Sequence, residues 1–294
     1  MPSVRAIIVN YNAGDALISC VESLLGFAGS LKIVVADNLS QDGSMAALQE
    51  RFGQDQRLEL RFNEENIGFG RAVNRVARNA GEDYVLILNP DCILETDALD
   101  RLVEALEEDD RAALAAPWII NSEGHVQSGT WRRLPDPWNS LMTFSGLDRL
   151  AGRLPATAGV NQHKQAAPGE TMVAEAVSGA CMLLRRSVAE PMGYFDEAYK
   201  MHCEDLDLMY RLKEAAYHCL LVPGAMAVHS GGLSSASRPW WVHRQKHLGM
   251  QRYFSKFLAP EHSPPVRWMI YAGIWIHYLL TLPVVLFQRI SGSA

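Results

Sequence analysis

Val4-Arg-Ala-Ile-Ile-Val9 and Lys32-Ile-Val-Val-Ala36, with Asp15 to Phe27 between them, decide the fold class. Both runs are short and rich in β-branched residues, as suits strands buried on two faces. The intervening segment sets Ala16, Ile18, Val21, Leu24 and Leu25 near helical spacing, which makes the opening a βαβ unit. The alternation continues with a strand over Arg57–Phe62, a helix over Gly70–Ala80 and a buried strand over Tyr84–Leu88. A helix then runs to Glu108, with Thr96 placed to cap it and Asp97 at the positive end of its dipole. This order predicts an α/β fold, a three-layer sandwich around a mostly parallel sheet. Ligands in such sheets bind beyond the carboxyl ends of strands, so chemistry is expected in the loops after Val9, Ala36, Phe62 and Leu88.

The chain has 294 residues, 48% apolar and 20% charged, which excludes disorder and small disulfide scaffolds. A formal charge of −6 argues against a globally basic surface, and no nucleic-acid partner is expected. The charge is unevenly placed. Residues 232–294 hold seven Lys or Arg and one acid, Glu261, so residues 1–231 carry the other 20 bases and 32 acids. Cys20, Cys92, Cys181, Cys203 and Cys219 are scattered without a CxxC pair, which points to reduced thiols. No secretory signal pattern precedes the first strand, so the acidic body is expected in the cytoplasm.

The first two loops read Asn10-Tyr-Asn12 and Asp37-Asn-Leu-Ser-Gln-Asp-Gly-Ser44. These polar groups suit a nucleobase and ribose, with Asp37 able to accept from a pyrimidine N3–H; the same residues also make ordinary turns and caps. The third loop brings Asn66, Gly68 and Arg71 to the start of a helix, whose amino end favours anions such as a diphosphate. It has neither the GxGxxG fingerprint nor the P-loop lysine, so hydride transfer and nucleoside-triphosphate hydrolysis lose ground. The fourth, Asn89-Pro-Asp91, sets a carboxylate just past a buried strand. That carboxylate is a suitable ligand for Mg²⁺ or Mn²⁺ bridging two phosphates, or else a simple turn cap.

Glu204-Asp-Leu-Asp-Leu-Met-Tyr-Arg211 is the most informative stretch. Asp207 and Arg211 are four apart and can pair, leaving Glu204 and Asp205 near the amino end of a helix from about Asp205 to Ala216. Either carboxylate can serve as a general base whose proton affinity the other raises; an N-capping acid beside an ion pair is the structural alternative. His229 follows a short apolar run and can complete a metal site or be purely structural. Residues 121–169 lack periodicity and read as loops and short helices over a site, or equally as a plain irregular connection.

In this order the motifs resemble the inverting nucleotide-sugar transferases of glycosyltransferase family two, with a GT-A fold, and especially its rhamnosyltransferase-like members. The resemblance spans roughly residues 3–232. It rests on Ile8-Val-Asn-Tyr-Asn12, Asp37-Asn with Ser40 and Asp42-Gly-Ser44, Asn66-Ile-Gly-Phe with Ala72 and Asn74, and Asn89-Pro-Asp91. It continues in Ser178-Gly-Ala-Cys-Met-Leu-Leu-Arg-Arg186, Gly193-Tyr-Phe-Asp-Glu197, Glu204-Asp-Leu-Asp-Leu208 with Arg211, and Pro223 with His229 and Gly232. The resemblance implies that Asn10, Asn12, Asp37, Asn66, Gly68, Arg71, Asn89 and Asp91 bind the donor, Asp37 through the base. It further implies that Asp91 binds Mg²⁺ or Mn²⁺ and that Asp205 is the catalytic base, supported by Glu204. Asn89 departs from the family, in which many members carry the first Asp of a DxD motif there, and His229 is the candidate replacement ligand. A single displacement with inversion is implied, from a nucleoside-diphosphate sugar, with deoxythymidine-diphosphate (dTDP) rhamnose favoured.

Residues 1–231 are therefore expected to be the catalytic domain and 232–294 a basic amphipathic and hydrophobic helical region. Trp240 to Leu258 sets Met250, Tyr253, Phe254, Phe257 and Leu258 on one face with bases elsewhere, so it can lie on an anionic leaflet or pack on the body. Trp268 to Phe287 carries no formal charge and can span or re-enter a bilayer, lie on it, or be buried. The basic flank places the body on the cytoplasmic face of the cell membrane, an inner membrane surface. The expected acceptor is a glycan or polyprenyl-diphosphate-linked intermediate of cell-surface polysaccharide synthesis. Rival readings are a polyprenyl-phosphate or galactofuranosyl-type transferase, a nucleotidyltransferase, and a non-catalytic glycan-assembly scaffold.

Overall fold

A computed structural model describes residues 2–27, 29–162, 169–231 and 238–290; Gly232, of the last motif, lies outside the described residues. The βαβ opening forms as β1 (Ser3–Asn10), α1 (Ala16–Leu25) and β2 (Ser30–Asp37). It is followed by α2 (Ser44–Phe52), β3 (Leu58–Phe62), α3 (Phe69–Ala77), β4 (Tyr84–Leu88), β5 (Cys92–Leu94) and α4 (Ala98–Glu108). The second half comprises β6 (Ala112–Ile120), β7 (Trp131–Arg132), α5 (Pro137–Ser145), β8 (Met172–Ala174), β9 (Ala176–Val177), β10 (Cys181–Arg185), α6 (Arg186–Ala189), α7 (Glu204–Glu214) and β11 (His218–His229). Two helices close the chain, α8 (Pro239–Tyr253) and α9 (Pro264–Ile290).

Among the described residues the main sheet has nine strands in the order β3-β2-β1-β4-β10-β6-β11-β5, with β8 also on β11. It is parallel from β3 through β4. Beyond β4 it becomes mixed, because β10 runs antiparallel between β4 and β6 while β6 and β11 are parallel. Alternation along the strands separates two cores. Val4, Ala6, Ile8, Leu86 and Leu88 face α1, α2 and α4, whereas Ile7, Val9, Val85 and Ile87 face α3 and α7. A strand buried on both faces favours apolar side chains at successive positions, which is why β4 reads Tyr-Val-Leu-Ile-Leu without interruption. Each such side chain stabilises the fold by about 1.5–3 kcal/mol through burial.

Register places the site loops at one edge. Asn10 lies opposite Asp37, Asp37 opposite Phe62, and Ile8 opposite Leu88. Because β10 is antiparallel, its first residue, Cys181, meets Leu88, so the Ser178–Ala180 turn arrives at the same edge as Asn89. The Asn89 N–H donates to the Ala180 carbonyl at 2.8 Å. Thr96 does not cap α4; Asp97 occupies that position in a left-handed conformation and makes no side-chain cap. All five cysteines are free.

The basic C-terminal segment is held on the acidic body. Lys256 Nζ lies 2.8 Å from Asp196 and 2.7 Å from Asp207, and Arg252 lies 2.8 Å from Asp196. Asp207, fully buried, also takes Arg211 at 2.6 Å, the pair expected from their spacing. Tyr253 at the end of α8 and Phe254 just after it are buried, so this end of the apolar face is committed to protein. Charge separates the segments on either side of residue 231, while packing joins them. α9 lies along α8 through Trp275 Nε1, which donates to Gln251, a Tyr271–Ser255 hydroxyl contact at 2.9 Å, and stacked His243 and Tyr278. Its other face exposes Trp268, Met269, Ile276, Leu279, Leu280 and Val284.

Candidate active site

The loops after β1, β2 and β3 form one hydrogen-bonded network. Buried Asn10 donates from Nδ2 to Asp37 (3.0 Å), Ser40 (3.0 Å) and Ser44 (2.8 Å). Asp37 Oδ2 accepts from the Ser40 amide, while Oδ1 also accepts the Ser40 hydroxyl. Asn12, at φ 53, accepts the Gln41 amide at 2.7 Å. Burial acts to raise the Asp42 carboxyl, but hydrogen bonds from Ser44 and the Gly14 amide outweigh it and hold the carboxyl below its ordinary range. Asn38 accepts from Asn63 and donates to the Gly68 carbonyl, and Asn66 accepts the Gly68 amide at 3.0 Å. Asn10, Asn12, Asp37, Asn66 and Gly68 are thereby brought together. Arg71 is not drawn into this network; it points toward Glu197 at 3.9 Å and is more than half exposed.

The fourth loop meets the end of β11. His229 pairs with Cys92 in the β11–β5 ladder, which brings its Nε2 to 3.1 Å from Asp91 Oδ1 and 3.3 Å from Asn89 Nδ2. Gln127 fixes the ring, accepting at Oε1 from His229 Nδ1 (2.8 Å) and donating Nε2 to the His229 carbonyl (2.6 Å). With the proton on Nδ1, the Nε2 lone pair faces a carboxylate oxygen, an arrangement completed by a shared proton or cation. About 3 Å is also the separation of adjacent ligands around an octahedral cation with ~2.1 Å bonds. Among the described residues no group of three or more His, Cys, Asp and Glu is arranged to hold a metal. A two-ligand site fits a cation that takes its remaining ligands from phosphates and water.

Glu204 and Asp205 begin α7, directly after His202 and Cys203, which both have positive φ (65° and 68°). Two adjacent left-handed non-glycine residues store backbone strain that the surrounding packing must hold. The Asp205 carboxylate is clamped by Arg132, whose guanidinium lies 2.5 Å from Oδ2 and also bonds the Val177 carbonyl. Gly179 also packs against it: an added Cβ there would sit 3.0 Å from Asp205 Oδ2, so the carboxylate would have to shift. Glu204 Oε2 is buried and has no hydrogen-bond partner among the described residues. Burial first, and then the negative charge of Asp205, raise the Glu204 carboxyl to about 8.

Gln127 and Arg132 were not singled out in the sequence, and Gly179 entered only as a member of the Ser178–Arg186 motif. The first two lie in the aperiodic stretch 121–169, whose covering role is visible in their contacts with His229 and Asp205. A basic residue in an irregular segment carries no local signal of its partner, because the pairing spans dozens of residues.

The family model for glycosyl transferase family 2 matches residues 6–190. The chain belongs to glycosyltransferase family 2. Over 288 residues it is 31% identical to the N-acetylglucosaminyl-diphospho-decaprenol L-rhamnosyltransferase of Mycobacterium tuberculosis, covering 90% of this chain and 88% of that protein. It is 27% identical to the rhamnosyltransferase WbbL of Escherichia coli, covering 77% of this chain and 83% of the relative. The fold is shared with a Pyrobaculum calidifontis mannosyltransferase solved with GDP-Man and Mn²⁺, at a TM-score of 0.59 and 17% identity, covering 99% of this chain and 75% of that one. GalNAc-T7 solved with UDP, GalNAc and Mn²⁺ matches at a TM-score of 0.61 and 16% identity, covering 93% of this chain and 54% of the other. The GT-A expectation thus holds, and this family 2 glycosyltransferase is an enzyme of sugar transfer.

Proposed function

We propose that this glycosyltransferase moves rhamnose from dTDP-rhamnose to a polyprenyl-diphosphate-linked sugar, with inversion, during cell-surface polysaccharide synthesis. The observation that carries this reading is the convergence of three groups at one sheet edge: the Asn10–Asp37 network, the Asp91–His229 pair and the clamped Asp205. The similarity to the mycobacterial rhamnosyltransferase across nearly the whole of both chains favours the sugar and acceptor class. Asp37 and Asn10 hold the nucleoside; Asn12, Asn66, Gly68 and Asn89 line its diphosphate. Arg71 reaches that diphosphate only by leaving Glu197. Asp91 and His229 hold Mg²⁺ or Mn²⁺, which when bound offsets charge on the departing diphosphate. Asp205, oriented by Arg132, accepts the proton of the acceptor hydroxyl as that oxygen attacks the anomeric carbon. Glu204, kept neutral by burial, leaves the negative charge on its neighbour.

The body sits at the cytoplasmic face of the membrane, with α9 lying in the interface. Pro264–Leu286 is long and apolar enough to cross a bilayer. However, its His277, Tyr278 and Thr281 face α8, and crossing would strip them from their partners His247 and His243. A helix with one face on protein and the other apolar and exposed suits shallow immersion.

The test is a transfer assay with purified full chain, a panel of nucleotide sugars, and a short-chain prenyl-diphosphate N-acetylglucosamine acceptor, with and without Mn²⁺ or Mg²⁺. Rhamnosylated lipid with the anomeric configuration opposite to the donor's is expected. Transfer only to prenyl phosphate, or from another donor alone, replaces the reading with its nearest rivals. No transfer from any donor favours a scaffold. Leu279→Glu with Leu280→Glu should abolish flotation with anionic vesicles, and unchanged flotation removes α9 from the interface.

A further inference from the structure

A cavity of about 530 Å³ lies between the segment leading into the Glu204–Asp205 turn and α8. Its volume falls in the range of small-molecule sites. On one side it is lined by Tyr199 and Lys200, and on the other by Gln251, Arg252, Ser255 and Lys256. Three of these six are cations. Arg252 and Lys256 are neutralised by Asp196 and Asp207, whereas Lys200 is exposed and has no side-chain partner among the described residues. The cavity therefore keeps an uncompensated positive charge.

Its position relates it to both ends of the proposed reaction. Gly249, also in the lining, packs so closely on the strained turn that an added Cβ would lie 2.8 Å from the His202 carbonyl, two residues before Glu204. The Lys200 carbonyl lies 3.6 Å from where a Cβ on Gly68 would sit, so the segment that bears Lys200 also touches the nucleotide-side loop. On the far side, Gln251 and Ser255 bond to Trp275 and Tyr271 of α9. The next residues around that helix, Trp268, Met269 and Ile276, belong to its exposed apolar face. A cationic cavity is thus bordered by the turn that carries the candidate base and by an apolar, exposed helix.

We propose that this cavity binds the diphosphate of a prenyl-diphosphate-linked acceptor, with Lys200 as its principal cation and the prenyl chain running along α9. The inference rests on the reading of the acceptor as lipid-linked and assigns the site that recognises it. A diphosphate brings several strong acceptor oxygens and negative charge, which an ammonium and nearby amide donors satisfy. The side-chain amides of Gln245 and Gln251 supply those neutral donors, while the Ser255 hydroxyl is committed to the Gln251 carbonyl.

The experiment measures binding of farnesyl diphosphate to the full chain in detergent, without donor or metal, for wild type and Lys200→Ala. Farnesol, inorganic diphosphate, dTDP and phosphatidylglycerol vesicles are the comparison arms. Lys200 is exposed, so the variant is expected to fold, and an unchanged melting temperature checks this. About tenfold weaker farnesyl-diphosphate binding in the variant is expected, with weak farnesol binding and unaltered dTDP and vesicle affinity. Equal affinity in both proteins overturns the proposal. So does competitive displacement by dTDP, which places the diphosphate in the nucleotide site, or a parallel loss of vesicle binding, which makes Lys200 a contact for phospholipid headgroups. Because the binding measurement reads no sugar transfer, its outcome does not depend on which donor the enzyme uses. Efficient transfer to a prenyl-diphosphate acceptor with an acceptor KM untouched by Lys200→Ala sinks this inference and leaves the functional reading standing.

Discussion

The loops that follow β1, β2 and β3 bond mainly to one another, while the residues that finish the site across β10 and β11 bond to partners far away in sequence. In the first region Asn10, Asp37, Ser40 and Ser44 close a network within a single βαβα stretch. In the second, Arg132 reaches Asp205 and Gln127 reaches His229, separations of 73 and 102 residues. A parallel sheet with short crossovers aligns the ends of its strands automatically, so each loop needs only local polar residues. The mixed half has no such alignment and is held by long-range ion pairs and a close glycine contact. The division matches the roles proposed above, with the nucleotide assigned to the first region and the acceptor-activating carboxylate to the second.

Variants that act on one region alone test the division. The largest effect is expected from Asp205→Asn, which should lower kcat roughly a thousandfold while nucleotide affinity measured calorimetrically stays near wild type; substantial residual turnover would remove Asp205 from the base role. Asp91→Ala should follow, with kcat/KM down roughly a hundredfold and the divalent-ion concentration for half-maximal rate raised. A metal titration superimposable on wild type would contradict the Asp91–His229 assignment. Arg132→Lys retains charge but cannot hold both Asp205 and the Val177 carbonyl with one planar fork. Its kcat should fall roughly tenfold to a hundredfold with donor KM little changed. If donor KM rises instead, the two regions are not separable.

The smallest effect concerns stability. The Glu204 carboxyl is raised from 4.5 to about 8, so between these values the folded chain holds a proton that the unfolded chain has released. Stability contributed by the neutral form is complete below about 4.5 and declines as pH rises toward 8. Glu204→Gln should flatten that decline in denaturant titrations across the window, and parallel curves for the two proteins would count against a buried neutral Glu204.

Tyr84–Leu88 was readable because a strand buried on both faces leaves an apolar run, and Val4–Val9 because only Arg5 interrupts one; together with Lys32–Ala36 and Arg57–Phe62 their ends located the first four loops. β6 was not read, although it too is apolar, because Ala112–Ile120 has the composition of a helix as much as of a strand. The Asp207–Arg211 pair was visible from its spacing of four. Lys256, the third member of that group, was read only as part of a basic face, since nothing local shows that it returns to the body. Arg71 is a related case: its place at a helix start suggested a diphosphate contact, and nothing local shows that Glu197 lies 3.9 Å from it.

By itself the sequence determined the α/β alternation, the position of the polar loops at strand ends and the motifs of a family 2 glycosyltransferase, because all of these are written in local periodicity and spacing. Only the tertiary structure decided that β10 enters antiparallel, that Arg132 and Gly179 clamp Asp205, that Gln127 turns His229 toward Asp91, and that the basic helix covers the acidic body. Those outcomes depend on contacts between residues distant along the chain, where no local pattern records which partner a charge or a glycine will meet.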